Sequence, residues 1–262
     1  MTTTEPLVLR TDRADGLTTL TLNRPNAFNS LSKELLSALQ AELDAIAASE
    51  TVRVVVIAGA GKAFCAGHDL KEMRGNHSKE FMQALFKQCG DLMLRITQMP
   101  QPVIARVHGI ATAAGCQLVS MCDLAVAADV AKFAVSGINV GLFCSTPAVG
   151  LARNLGRKAA LEMLLTGEFI DALEAKAKGL VNRVVPADAL DVEIERLAGS
   201  ILAKSAVAVR MGKGMYYKQL EMGLSEAYNF AGEVMACNMM SEDAGEGIDA
   251  FMQKRKPEYK GC

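Results

Sequence analysis

The stretch VIARVHGIATAAGCQLVSMCDLAVA, residues 103–127, decides the fold class. Val103 to Val107 is a short apolar run of strand length, and Leu124 to Ala127 is another. Between them stands a turn made almost wholly of small residues, His108-Gly109-Ile110-Ala111-Thr112-Ala113-Ala114-Gly115, which opens into a short helix over Ala114 to Met121. Strand, small-residue turn, helix and strand in succession predict an α/β protein.

The same arrangement repeats upstream. Leu17 to Leu22 reads as a half-buried strand, and Asn23-Arg24-Pro25-Asn26 supplies turn chemistry after it. Ser30 or Ser32 caps a helix whose apolar positions Leu35, Leu36, Leu39, Leu43 and Ile46 fall on one face. Val52 to Ala58 follows as a nearly all-apolar buried strand, and a second small-residue turn, Gly61 to Leu70, follows that.

Downstream, Thr146 to Leu155 and Arg157 to Leu165 predict helices with Gly156 as the break, and Leu180 to Val185 predicts a strand closed by Pro186. From Asp188 to about residue 253 only helical periodicity remains. Met211, Met215, Tyr216, Tyr217, Met222, Tyr228, Phe230, Met235, Met239 and Met240 exceed what those helices need for themselves, so they pack on the core or on another subunit. The division expected is 1–204 for the core and 205–262 for a helical oligomerisation region.

Charge and composition remove several classes. Lys plus Arg number 28 against 29 Asp plus Glu, which leaves no positive surplus for a phosphate backbone, so no nucleic-acid partner is expected. The start MTTTEPLVLRTDR has no basic segment followed by an apolar one, and no stretch of ~18 apolar residues occurs. The expectation is therefore no membrane and a cytoplasmic location. Cys65, Cys89, Cys116, Cys122, Cys144, Cys237 and Cys262 show neither a CxxC nor a zinc-ligand spacing and read as reduced core residues. His68, His77 and His108 form no paired-ligand pattern, so no metal is expected.

The two small-residue turns carry the chemistry. Lys62-Ala63-Phe64-Cys65-Ala66-Gly67-His68-Asp69-Leu70 and His108 to Leu118 each follow a buried strand. Small side chains there let a ligand approach the backbone, and N–H groups at a helix start remain free for an anion. Tight packing alone also accounts for such turns.

Taken together, KAFCAGHDL (62–70) and VHGIATAAGCQLVSMCDLAVA (107–127), with NRPNAFNSLS (23–32) and LTGEFIDALEAKAKGLVNRVV (165–185), resemble the crotonase (enoyl-CoA hydratase/isomerase) superfamily over residues 7 to 256. GHDLKEM (67–73), NVGLFCSTPAVGLAR (139–153) and AFMQKRKP (250–257) are most similar to its enoyl-CoA hydratase domain-containing protein 3 subgroup. The resemblance implies a spiral of repeated ββα units with a C-terminal α-helical trimerisation region, working as a homotrimer or as a hexamer of two trimers. It implies an acyl-CoA or enoyl-CoA substrate in fatty-acid metabolism and no tightly bound cofactor, coenzyme A entering as part of the thioester. It places the backbone oxyanion hole on the N–H groups of His68 and Ala114. The nucleotide and pantetheine contacts fall on Arg24, Asn26, Ala27, Ala63, Ala66 and Asp69, with Phe251 and Lys254 from the C-terminal region.

The sequence departs from that pattern where proton transfer is done. The positions of the two glutamates that activate water and protonate the α-carbon are Gln117 and Gly137, and the acidic site of dienoyl-CoA isomerases is Ser145. Neither Gln nor Gly exchanges a proton near neutral pH, so ordinary hydration has no evident agents. The alternatives are an acyl-CoA-binding or assembly protein without turnover, or an enzyme like the methylmalonyl-CoA decarboxylases, which share the AGHD string. Cys144 has no basic partner at a recognisable spacing and reads as a small buried thiol.

Overall fold

A computed structural model of the chain describes residues 5–262. Its main sheet has six strands, β1 (Val8–Asp12), β2 (Leu17–Leu22), β3 (Val54–Gly59), β5 (Val103–Val107), β7 (Leu124–Ala128) and β10 (Arg183–Val185), side by side in that order. A smaller sheet places β4 (Ala63–Cys65), β6 (Ile110–Thr112), β8 (Lys132–Ala134) and β9 (Ile170–Asp171) in order. β3, β5 and β7 run parallel in the first sheet while β4, β6 and β8 run parallel in the second. Each successive strand pair thus adds one strand to each sheet, and the chain advances as the spiral the resemblance implied.

The all-apolar strands follow from burial on both faces. Val54, Val56, Ile104, Val126 and Ala128 pack with Leu190, Ile194 and Leu197 of α8 (Leu190–Leu202). Their neighbours Val55, Ile57, Val103, Ala105, Val107, Ala125 and Ala127 turn to the larger core with α1 (Lys33–Ala47) and α3 (Lys79–Gln98). Ser32 caps α1, its Oγ accepting from Leu35 N–H at 3.2 Å. Ser30 is not the cap; its carbonyl instead accepts from Arg24 Nη1 at 2.6 Å.

Two expectations need correction. The strand Leu180–Val185 shortens to Arg183–Val185, because Leu180 N–H closes the end of α7 (Ala172–Lys178) by bonding Ala175 O at 2.9 Å. The cysteines are not all core residues: Cys237 and Cys262 are exposed, while the other five are buried.

Ser205 caps α9 (Ala206–Gln219), followed by α10 (Leu224–Met239) and α11 (Glu242–Met252). One buried polar cluster fastens this helical region to the core. Lys213 Nζ donates to Ile96 O at 2.7 Å, Gln101 O at 2.8 Å and Asp123 Oδ2 at 2.6 Å. Tyr217 OH donates to Asp123 Oδ1 at 2.8 Å, and Val103 N–H donates to Oδ2 at 2.6 Å. The Met and aromatic surplus is largely not core: Tyr228 is 75% and Met240 82% exposed, with Tyr216, Met235 and Met239 also open. No described helix is long and apolar enough to cross a membrane, and no described His, Cys, Asp or Glu cluster is placed to hold a metal ion.

Candidate active site

The turn after β4 and the turn after β6 meet. Gly67 has φ +92°, and a Cβ added to it would lie 2.8 Å from Ala113 Cβ and 3.2 Å from Ala114 N, so its missing side chain is what lets the turns touch. Gly115 is held still more tightly, since a Cβ there would lie 2.1 Å from Cys65 O. These two glycines press the start of α4 (Ala114–Met121) onto the end of β4. Ala113 takes φ 50° and ψ −119°, a conformation that costs an alanine roughly 1–3 kcal/mol.

Neither His68 N–H nor Ala114 N–H has an acceptor among the described residues. Ala114 is the first residue of α4, where an N–H has no helical partner. His68 sits in an isolated parallel bridge with Leu31 whose two bonds, Leu31 N–H to Gly67 O at 2.7 Å and Asp69 N–H to Leu31 O at 3.2 Å, use its neighbours and leave its own N–H out. Both N–H groups are therefore without an acceptor among the described residues, and Gly67, next to His68, packs against Ala113 and Ala114.

The loop 23–32 is sewn beneath them by a residue the sequence reading did not single out. Asn29 is fully buried, and its Nδ2 donates to Ala60 O and Ala63 O, both at 2.8 Å, while its Oδ1 accepts from Arg24 N–H at 2.9 Å. A buried Asn among exposed turn residues has no periodic signal, and only the strand ends around it reveal its use. Ala66 N–H donates to Phe28 O at 3.0 Å, so Asn26 and Ala27, in a 3-10 turn over Pro25–Ala27, lie beside Ala63 and Ala66. Arg24 and Asp69 are brought together as an ion pair, Nη2 to Oδ2 at 2.9 Å. Asp69 also caps α2 (Leu70–Gly75), accepting from Lys71 and Glu72 N–H, and the Arg24 guanidinium helps hold its carboxyl below the usual range against the opposing effect of burial.

Phe251 and Lys254 do not join this group within one chain. α11 packs chiefly on α9 and α10, Phe251 is 84% exposed, and Lys254 lies just beyond the helix with φ 55°. Three surface cavities of about 550, 250 and 450 Å³ also lie elsewhere; none is lined by His68, Ala114 or Gln117.

At the two departures from the family pattern, Gln117 is one turn beyond Ala114 on α4, 4% exposed, with Oε1 unpartnered. Gly137 lies in a 3-10 turn over Ser136–Val140, and a Cβ there would meet Leu142 O and Cys144 Sγ, each at 2.7 Å. Ser145 begins α5 (Ser145–Asn154), its Oγ directed to Phe143 O at 3.4 Å. No carboxylate replaces the missing pair at these three positions.

The His68 ring stands edge-on to Phe86, centroids 5.4 Å apart, with Nε2 buried and unpartnered. Burial pushes its pKa down to about 4, so the imidazole is neutral at pH 7. Because the folded value lies below the unfolded one, the unfolded chain binds the extra proton between about pH 6.5 and 4, and stability falls as pH drops through that window. The difference between the two values corresponds to ~3 kcal/mol at most. Urea unfolding of wild type and His68→Gln at pH 7.5 and 4.5 is expected to show the smaller pH loss in the variant; parallel losses would remove His68 as the cause.

A family model described as enoyl-CoA hydratase/isomerase matches residues 12–262. The chain belongs to the enoyl-CoA hydratase/isomerase family. The rat enoyl-CoA hydratase domain-containing protein 3, mitochondrial, is 46% identical over 253 residues, 97% of this chain and 84% of that protein. The human protein of the same name is 45% identical over equal shares. Among solved structures, an enoyl-CoA hydratase of Mycobacterium smegmatis is 60% identical with a TM-score of 0.96, covering 97% of this chain and 99% of that one. Human enoyl-CoA hydratase domain-containing protein 3 superposes with a TM-score of 0.93 at 44% identity, over 97% and 100% of the chains. Membership in the enoyl-CoA hydratase/isomerase family makes this an acyl-CoA thioester type of protein, and both the subgroup likeness and the spiral fold expected from the motifs hold.

Proposed function

We propose that the protein binds CoA thioesters with the thioester carbonyl oxygen between the backbone N–H groups of His68 and Ala114, and stabilises the enolate oxyanion that forms there. The observation that carries this is that both N–H groups lack an acceptor among the described residues while Gly67 and Gly115 bring their two turns into contact. Such donors act where charge grows, and one of them is typically worth ~2.7–4 kcal/mol of barrier. Coenzyme A is then part of the substrate, its nucleotide and pantetheine running along Arg24, Asn26, Ala27, Ala63, Ala66 and Asp69. A complex with a saturated acyl-CoA tests this: the carbonyl oxygen is expected within ~3.2 Å of both nitrogens, and an oxygen bonded to neither would refute it.

Phe251 and Lys254 reach the ligand from a second chain in this reading, because the exposed apolar side chains of α10 and α11 make these helices a subunit contact. Light scattering at micromolar concentration is expected to give a trimer or a hexamer; a monomer would leave both residues without a role.

The neutral Gln117 and the side-chain-free Gly137 favour a second reading, an acyl-CoA binder or assembly protein without turnover. A panel of CoA thioesters scored in parallel for thermal stabilisation and consumption separates the two, since a binder shifts stability and consumes nothing.

A further inference from the structure

The loop that carries Arg24, Asn26 and Ala27 is closed on itself by one residue. Asn29 N–H donates to Arg24 O at 3.0 Å, and Asn29 Oδ1 accepts from Arg24 N–H at 2.9 Å, so residues 25–28 are held in a ring between them. The other end of the same amide leaves the loop. Asn29 Nδ2 donates to Ala60 O and Ala63 O, both at 2.8 Å, and to Phe64 O at 3.2 Å, which engages its N–H groups with the segment that carries Ala63 and Ala66. Gly59, the last residue of β3, makes room for this: a Cβ there would lie 2.9 Å from Asn29 Nδ2 and 2.5 Å from Phe64 O.

The backbone is held here against its own preference. Phe28 (φ 51°) and Asn29 (φ 54°) are successive residues in the left-handed region, and Phe28 is 54% exposed, so burial of its ring does not hold it there. Asn tolerates that region better than most side chains. Such strain persists where the surroundings over-determine the conformation, and it gathers where a ligand is clamped. The fully buried Asn29 amide, bonded to both segments, supplies that constraint.

We infer that Asn29 is a positioning residue for the coenzyme A portion of the ligand. It touches no ligand itself and sets the spacing between the loop 24–27 and the segment 63–66 before any ligand arrives. This rests on the acyl-CoA reading above, in which those two segments line the path of the nucleotide and pantetheine. A groove fixed in advance leaves less to be ordered on binding, so affinity for the coenzyme A portion depends on the amide. The thioester end does not. The turns of His68 and Ala114 are fixed by Gly67, Gly115 and the backbone bonds to Leu31, none of which the Asn29 side chain makes.

NMR titration with butyryl-CoA and with S-butyryl-N-acetylcysteamine, which keeps the thioester and lacks the nucleotide, separates the two ends. Asn29→Gly accepts the left-handed backbone without the amide, and Asn29→Asp keeps the shape and the acceptor for Arg24 N–H but loses the donors. Both variants are expected to bind butyryl-CoA at least ~10-fold more weakly and the short thioester less than ~3-fold more weakly. A merely structural role would weaken both ligands alike, so equal losses, or butyryl-CoA affinity unchanged in either variant, overturn the inference. Hydrogen exchange of wild type decides the matter if neither variant folds. The N–H groups of Arg24, Phe28 and Asn29 are expected to be protected in the free protein and to slow less than ~3-fold further with butyryl-CoA; a loop that exchanges freely until the ligand arrives overturns the inference. A wild type that does not bind butyryl-CoA overturns the acyl-CoA reading, and the inference with it.

Discussion

Crotonyl-CoA hydration by the native protein is expected to run at least ~10³-fold below an ordinary turnover of ~10 s⁻¹. Two proton transfers are needed and the family's two carriers are Gln117 and Gly137 here. Nothing at these positions activates water, and one lost general base is worth ~10²–10⁴-fold. The measurement is the disappearance of the conjugated thioester's absorbance. Gln117→Glu is the informative variant, expected to gain at least ~10-fold because it restores a base one helical turn from Ala114. Gly137→Glu is a poor companion to it. Its Cβ would press on the backbone oxygen of Leu142 and on Cys144 Sγ, both at 2.7 Å, and such overpacking costs ~1–3 kcal/mol. Wild-type turnover near ~10 s⁻¹ would point to an acid-base group outside these positions.

Lys213→Met is expected to destabilise the fold by ~3–5 kcal/mol. Lys213 and Asp123 side chains are only 6% and 13% exposed, so removing the ammonium leaves a carboxylate buried without its counter-ion. Two carbonyls, Ile96 O and Gln101 O, lose their donor at the same time. Burial lowers the Lys213 pKa and Asp123 works against that. The control is Lys213→Met with Asp123→Asn, which removes both charges yet keeps an oxygen to accept from Val103 N–H. It is expected to recover ~1–3 kcal/mol of the loss. Urea unfolding at one fixed protein concentration measures this, since subunit association also contributes to stability. A single variant within ~0.5 kcal/mol of wild type would show that α9 is not held by this pair.

How much of this was legible differs from element to element. Val103–Val107 and Ala114–Met121 fall where the apolar run and the small-residue turn put them, because a strand buried on both faces leaves an uninterrupted apolar stretch. β4, β6 and β8 went unread, since three residues are too few to show a period of two. α3 had a readable pattern in Leu85, Cys89, Leu92, Met93 and Ile96 and a cap in Ser78, which accepts from Phe81 N–H. Its apolar positions recur at three and four residues, so this helix, absent from the expectations above, was legible all the same.

The sequence by itself determined the α/β class, the two turns that carry the donors, the family and the loss of both glutamates, because each of these is written in local residue order. What only the tertiary structure decided is what those residues face. It pressed the two turns together, since Gly67 meets Ala113 and Ala114 and Gly115 meets Cys65 O only once the strands are in place. It also set Arg24 against Asp69 across 45 positions and Lys213 against Asp123 across 90, pairings that no spacing encodes. And it filled the space beside Gly137 with the Cys144 thiol, because the direction of a missing side chain exists only once the backbone is folded around it.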